Sequence, residues 1–271
     1  MIRIDTPENW DSASQGYSEK IAPFLMESFA DEFIELLEVD RTTEALEVAS
    51  GSGALTLSFA KKVKSLLATD FSPQMIEIVK GKLRNTGMEN VSCKIMDGMA
   101  LELEDNSVDR AACSFGLMLF PDRNRGFSEL ARVLKPGGRA MVSAWAGPDK
   151  FEALGIFLSA INQAFPDMPK PDAPPPVFSL ANPEKFHIEM EAAGFKDVEV
   201  KFVSRDMVVE SFEILWGMLT LGAPPVRLLF ESVGEGGKGA IKESLQEIIL
   251  NRFGEGPIQI TNTATVGVGH V

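Results

Sequence analysis

Histidine, cysteine and tyrosine are scarce in this 271-residue chain, which holds two, two and one of them. The cysteines, Cys93 and Cys113, each lie in an apolar, strand-like run. Two such residues make no disulfide framework, and no Cys/His spacing suits zinc, so both are expected as reduced core residues and no metal site is expected. Of the histidines, His187 falls in a predicted helix and His270 is next to last, and neither is expected to act in catalysis. Positive charge is also short: 26 Lys and Arg stand against 39 Asp and Glu, a net charge of −13. That balance argues against a nucleic-acid partner, whose phosphates demand clustered basic residues. No apolar run reaches membrane length, so no membrane span is expected, and no signal-peptide pattern opens the sequence. The expected compartment is the cytoplasm. Apolar residues at 45% and charged residues at 24% are ordinary globular usage. A chain of this length buries a core as one large domain, or as one domain with an insertion.

Against this background one stretch organises the rest. Residues 45–48 read as a short buried strand, 49–53 as a run of small residues, and 54–63 alternate in the helical manner. Strand, glycine turn and helix bring a backbone close to a nucleotide-like ligand. Gly51 and Gly53 supply positive φ and lack a Cβ. Glu47 stands at the carboxyl end of the strand, facing the place of such a ligand. The next apolar run, 64–70, again ends in a carboxylate, Asp70, suited to accept hydrogen bonds from two ribose hydroxyls. The third glycine of a dinucleotide fingerprint is absent, because Thr56 stands in its place, and there is no Gly-Lys-Ser/Thr phosphate loop.

The alternation continues. Ser72-Pro73 starts a helix through residue 80, with Ser72 as N-cap and Pro73 at the first helical position. Strand 91–96 ends at Asp97-Gly98-Met99-Ala100, strand 107–115 follows, then helix 127–134, the stop Lys135-Pro136-Gly137-Gly138, and strand 139–145. Strands alternating with helices imply a parallel sheet with right-handed crossovers.

Residues 44–145 resemble the SAM-dependent methyltransferase family of the class I fold (SAM, S-adenosylmethionine). The nearest group is methyltransferase type 11, which includes the ubiquinone/menaquinone C-methyltransferases. The residues behind the resemblance are 47–53, 70–75, 97–100, Ser114-Phe115-Gly116-Leu117 and 130–138. Two places depart from the quinone enzymes: their Arg-Asn after the Gly-Leu is Met118-Leu119 here, and 145–148 differ as well. Ala49 replaces the first glycine of the usual loop, which is tolerable at negative φ.

The resemblance implies a Rossmann-like α/β fold. Its sheet would be mostly parallel and seven-stranded, in order 3-2-1-4-5-7-6 with the last strand antiparallel, and a helical cap would be inserted. It divides the single domain 1–271 into an N-terminal helical lid at 1–40 and a SAM-binding core at 41–146. Cap insertions fall at 147–194 and 210–255, and C-terminal strands at 195–209 and 257–271. It further implies SAM as cofactor, S-adenosylhomocysteine as product and a small-molecule acceptor. The cofactor-binding set is Tyr17, Glu47, Ala49, Ser50, Gly51, Gly53, Asp70, Phe71, Met75, Asp97, Gly98, Met99, Ser114 and Phe115. Within it, Phe71 is placed against an adenine face and Asp97 on the adenine amino group. Residues of the cap, namely Trp145, Met168, Phe178, Trp216, Met218, Leu219 and Leu221, would form an apolar acceptor pocket.

Outside the core, 1–16 read as irregular and 17–37 as helical with a break or a helix start at Pro23. Residues 151–165 read as a helix and 166–176 as a proline-rich extended connection. Helices at 182–193, 212–221, 226–233 and 240–253, a flexible glycine loop at 234–239, and strands at 195–209 and 258–271 complete the reading. Methyl transfer from a sulfonium needs alignment and desolvation and no obligatory acid or metal, so no catalytic residue is assigned. Two other functions compete: a SAM-fold protein that binds without transfer, and an NAD-linked oxidoreductase, disfavoured by Thr56 and the lack of a second nucleotide half. Oligomeric state stays open, a homodimer included.

Overall fold

The computed structural model describes residues 6–169, 174–222 and 224–271; the side chains of 221, 222, 224, 225, 227 and 228 lie outside the description. Strands β1 (Glu44–Val48), β2 (Ser65–Asp70), β3 (Val91–Ile95), β4 (Val108–Ser114), β5 (Leu134–Trp145), β6 (Lys196–Val209) and β7 (Ile258–His270) form one sheet. Their order is β3-β2-β1-β4-β5-β7-β6. The first five run parallel, and β7 runs antiparallel to both β5 and β6. The expected order and the reversed last strand are therefore present.

The sequence explains this sheet locally. Ala45, Leu46, Glu47 and Val48 are buried on both faces, as a central parallel strand requires. Helix α1 spans Pro7–Gly16, α2 Ala30–Leu36, α3 Thr56–Ala60, α4 Pro73–Thr86 and α5 Arg123–Val133. Ser72 caps α4 by accepting from Met75 N at 3.1 Å, and Gly87 ends it at φ +66°. Asp122 caps α5 in the same way. Pairings of Val48 with Thr69 and of Asp70 with Ile95 bring the carboxyl ends of β1, β2 and β3 to one edge. Strand order reverses at β1 and β4, with β2 and β3 added on one side and β5 on the other, so a crevice opens beyond the β1 and β4 tips, where open α/β sheets bind ligands.

The remaining helices are α6 (Glu152–Ala164), α7 (Pro183–Ala192), α8 (Phe212–Gly222) and α9 (Pro224–Phe253). Helix α7 lies on the sheet, with Phe186 and Met190 against Gly267. The β6–β7 ribbon outruns β5: Trp145 ends opposite Ala264, whereas β6 and β7 stay paired to Val209 and Ile258. Arg205 on this ribbon reaches the N-terminal segment, donating to Ser28 O at 3.0 Å and pairing with Glu32 at 2.7 Å. Helix α8 packs on residues 17–26 and on α1, and α6 packs on α9.

Three expectations need correction. Residues 7–16 are helical rather than irregular, starting at Thr6-Pro7-Glu8 with Pro at a first-turn position; residues 1–5 lie outside the described residues. The break near Pro23 falls later. Tyr17–Met26 forms a wide π-type helix that contains Pro23, and a short 3-10 turn follows at Glu27–Phe29. Proline has no N–H to donate within the helix and its ring crowds the carbonyl of residue i−4, so the regular α register is interrupted along this segment. The glycine loop at 234–239 is part of α9, which kinks at Gly234, φ +68°. A Cβ at Gly237 would meet Val233 at 2.6 Å, so close packing uses the missing side chain. The proline-rich connection is described only outside 170–173.

Candidate active site

Beyond the strand tips lies a cavity of about 560 Å³, a size that suits one drug-sized ligand. Of the expected residues, Tyr17, Ala49, Gly51, Asp70, Phe71, Met75, Asp97, Gly98, Met99, Ser114 and Phe115 line it. Glu47, at the end of β1, and Ser50 and Gly53, within the glycine loop, are not on the wall. Among lining residues not named from the sequence are Pro7, Trp10, Glu102, Leu119 and Phe120. Only Thr6-Pro7-Glu8, a helix start, could have pointed to the first two.

Asp70 organises the wall. Its Oδ2 accepts from Gly51 N at 2.8 Å and its Oδ1 from Ser72 N at 2.9 Å. These bonds pin the glycine loop to the tip of β2 and leave lone pairs on both oxygens for further donors. Burial pushes Asp70 up to about 6; the two backbone bonds oppose this, and the nearby Asp11 charge adds to it. Asp11, on α1, accepts from Ser72 Oγ at 2.5 Å and Gln74 N at 3.1 Å, which fastens α1 to the start of α4 and over the cavity. Tyr17 follows α1 and faces the glycine loop, 3.8 Å from where a Gly51 Cβ would stand. Burial, and then the Asp70 charge, raises its phenol well above the usual value.

Glu47 is buried, and its Oε2 has no hydrogen-bond partner. Burial lifts its carboxyl to about 8, Asp70 adds to the rise, and the Thr56 hydroxyl offsets part of it. That hydroxyl makes no hydrogen bond of normal geometry, and the Ser50 and Ser52 hydroxyls are likewise unpartnered. Four unsatisfied polar groups around one loop form a concentration that calls for a ligand or bound water.

Two of the five non-glycine residues with positive φ among the described residues stand at the same place. Ala49 has φ +55°, outside the negative range in which its replacement of the usual glycine is tolerated without strain, and Phe115 has φ +56°. Non-glycine residues in this region are sparse and cluster at ligand sites. Phe115 N donates to both Ser143 O (3.1 Å) and Ser143 Oγ (3.0 Å), which holds the turn. Its ring stacks on Trp145 at 4.1 Å, and Trp145 stacks on Phe151 at 4.0 Å. Gly98 admits the Phe120 ring, which a Cβ there would meet at 2.6 Å. Asp97, in the exposed turn after β3, accepts from Met99 N at 2.8 Å.

The expected acceptor pocket is not part of this cavity. Trp145, Phe178 and Met218 are buried in the core, none of the six described members lines the cavity, and the side chain of Leu221 lies outside the description. Of these residues Trp145 is held between the rings of Phe115 and Phe151, stacked on both. His270 lies at the far end of the sheet beside Arg139, and His187 faces Glu191 on α7. Among the described residues no group of three His, Cys, Asp or Glu could hold a metal ion, and no helix is long and apolar enough to cross a membrane.

The model of the ubiE/COQ5 methyltransferase family matches residues 10–155, more than half of the chain and every lining residue of this cavity named above except Pro7. The chain belongs to the ubiE/COQ5 methyltransferase family. It is similar to the ubiquinone/menaquinone biosynthesis C-methyltransferase of Pectobacterium carotovorum, 34% identical over 119 residues, which are 42% of this chain and 47% of that one. It is also similar to a demethylmenaquinone methyltransferase of Staphylococcus aureus, 41% identical over 103 residues, 37% of this chain and 42% of that one. The chain thus spans less than half the length of these curated relatives. In fold it resembles the YcgJ protein of Bacillus subtilis, at TM-score 0.59 and 18% identity, over 90% of this chain and 97% of the other. The oxidoreductase reading finds no support among these relatives.

Proposed function

We propose that this chain binds S-adenosylmethionine in the strand-tip cavity and transfers its methyl group to a small-molecule acceptor. The observation that carries the reading is Asp70: a buried carboxylate at the tip of β2, tied to the glycine loop and open to the cavity. The residues suit an adenosyl sulfonium. Asp70 accepts from the ribose hydroxyls. Asp97 and the backbone beside Met99 read the adenine, with Phe71 against its face. The loop 49–53 cradles the amino-acid end, and Glu47 offers its unpartnered oxygen there. SAM supplies an electrophilic methyl on a leaving group that becomes neutral.

What this chain contributes is alignment and dryness. Trp10 and Tyr17 close the cavity from the N-terminal side, and Phe115 walls it toward the cap. The relatives are named for methylation of quinone precursors, and that acceptor class is carried here as a proposal. Residues 1–40 act as a lid, 41–146 as the core, and 147–194 with 210–255 as the cap.

The test is calorimetric. Asp70→Ala removes two ribose hydrogen bonds to a charged acceptor, so SAM affinity falls about 30- to 1000-fold, the equivalent of about 2–4 kcal/mol. Undiminished binding by the folded variant sinks the role of Asp70. A mass-spectrometric screen of a metabolite panel, with SAM as donor, then identifies the acceptor by a product 14 Da heavier; no methylated product across quinone precursors and the wider panel counts against transfer.

A further inference from the structure

Strand β6 is the longest of the sheet and stands at its edge: 14 residues, with β7 on one side and no strand on the other. An open edge pairs with other chains unless shortness, a proline or a bulge blunts it. The opposite edge, β3, is blunted by a length of five residues. In β6 the one irregularity falls between Lys196 and Glu199; from Glu199 to Val209 every residue is paired with β7, and there is no proline. Among the described residues no backbone of another segment bonds the outer side of this stretch. Phe202 and Val208 are 45% and 52% exposed on one face. On the other face Val203, Met207 and Val209 are buried, and two cations, Lys201 and Arg205, share the one carboxylate of Glu32 at 3.5 and 2.7 Å. Glu199 lies on that same face, exposed and without an ion pair among the described residues.

We propose that the outer edge of β6 receives the β6 of a second copy of this chain, antiparallel, about a twofold axis at Phe202, so that one sheet runs through both chains. An edge paired with itself about a twofold axis is antiparallel, and each residue meets its counterpart reciprocally. Charge selects the register. With the axis at Phe202, Val200 stands opposite Ser204, Lys201 opposite Val203, and Glu199 opposite Arg205. A shift of the axis to Lys201 sets that lysine against its own copy, and a shift to Val203 sets it against Arg205; like charges directly opposite disfavour both. In the chosen register Glu199 of the second copy supplies the carboxylate that Lys201 and Arg205 lack, once on each side of the axis. On the other face the two Phe202 rings meet, flanked by Val200, and the apolar surface there leaves water. The contact also reaches the N-terminal segment, because the same Arg205 donates to Ser28 O at 3.0 Å and holds Glu32. None of this depends on which ligand the strand-tip cavity takes.

The experiment is sedimentation velocity of the full chain from about 1 to about 200 µM, with a crosslink to fix the register. A species of twice the 29.5 kDa of one chain grows with concentration. Glu199→Arg, its folding checked by thermal melting, sets cations opposite each other and weakens association at least about tenfold. Phe202→Cys, made together with Cys93→Ser, is the second variant. Directly paired residues have Cα atoms about 5.5 Å apart, within disulfide reach, so mild oxidation joins two chains at position 202. Ile188→Cys, exposed on α7, gives no such product in the same background. A chain that stays single up to the highest concentration and does not crosslink at 202 overturns the inference and leaves the edge to a strand of another protein. A dimer that is unmoved by Glu199→Arg and does not crosslink at 202 overturns it as well, because its interface then lies elsewhere.

Discussion

Replacing Glu47 with Gln keeps the shape of a buried side chain and removes its titration. In the folded protein the Glu47 carboxyl is lifted from 4.5 to about 8, first by burial and then by Asp70. A carboxyl that holds its proton more tightly folded than unfolded stabilises the fold fully below pH 4.5, and that contribution is lost as pH rises through 8. At about 1.4 kcal/mol per pKa unit, a shift of about 3.5 units makes the loss about 5 kcal/mol over that window. Asp70, lifted from 3.8 to about 6, adds a loss of the same sign at lower pH in wild type and variant alike. The difference in unfolding free energy between Glu47→Gln and wild type therefore grows in favour of the variant by about 1.4 kcal/mol per pH unit from pH 5 to 8, and is flat above. Urea unfolding of the ligand-free proteins at five pH values from 5 to 9 reads this directly. Parallel stability curves for the two proteins would refute a buried, uncompensated carboxyl at this position.

Other expectations follow from the strained loop and its packing. Ala49→Gly relieves a left-handed alanine and raises stability by about 1 kcal/mol, measured as a shift of the urea midpoint at constant slope; no gain would contradict the positive φ. Gly116→Ala places a Cβ 2.5 Å from the Ala49 Cβ, and its cost, about 2 kcal/mol, shrinks in the double variant with Ala49→Gly, so additive effects in a double-mutant cycle would rule out that contact. Asp11→Ala removes the two bonds that fasten α1 to α4 and speeds cofactor dissociation by about tenfold, followed in stopped flow by the emission of Trp10; an unchanged off-rate would show that α1 is held elsewhere.

Much of the sheet was legible because each strand carries its own signal. The apolar runs before Ser50, Asp70 and Asp97 end in small or acidic residues, and Ser72-Pro73 and Asn182-Pro183 mark the helix starts that the structure shows. Less legible was whatever depends on contacts between distant segments. Helix α1 is polar, with Ala13 and Ser14 its buried residues, so its own periodicity says little; the bonds of Asp11 to Ser72 and Gln74 reveal its position. The positive φ of Ala49 is imposed by the β1 exit, where Asp70 grips Gly51, and alanine itself gives no sign of it. Glycines 234–239 suggested a loop on composition, yet one kink at Gly234 suffices and the rest stay helical. Apolar residues at 145, 178 and 218 were readable as buried. Whether they enclose space or fill it depends on stacking such as that of Phe115, Trp145 and Phe151, which no linear pattern encodes.

A crystal structure of the chain with S-adenosylhomocysteine tests the central claim most directly. The account predicts the ribose hydroxyls on the Asp70 carboxylate, the adenine at Asp97 and Met99, and the amino-acid end over residues 49–53. An empty cavity at saturating ligand, or a nucleoside bound with Asp70 turned away from its ribose, would contradict it.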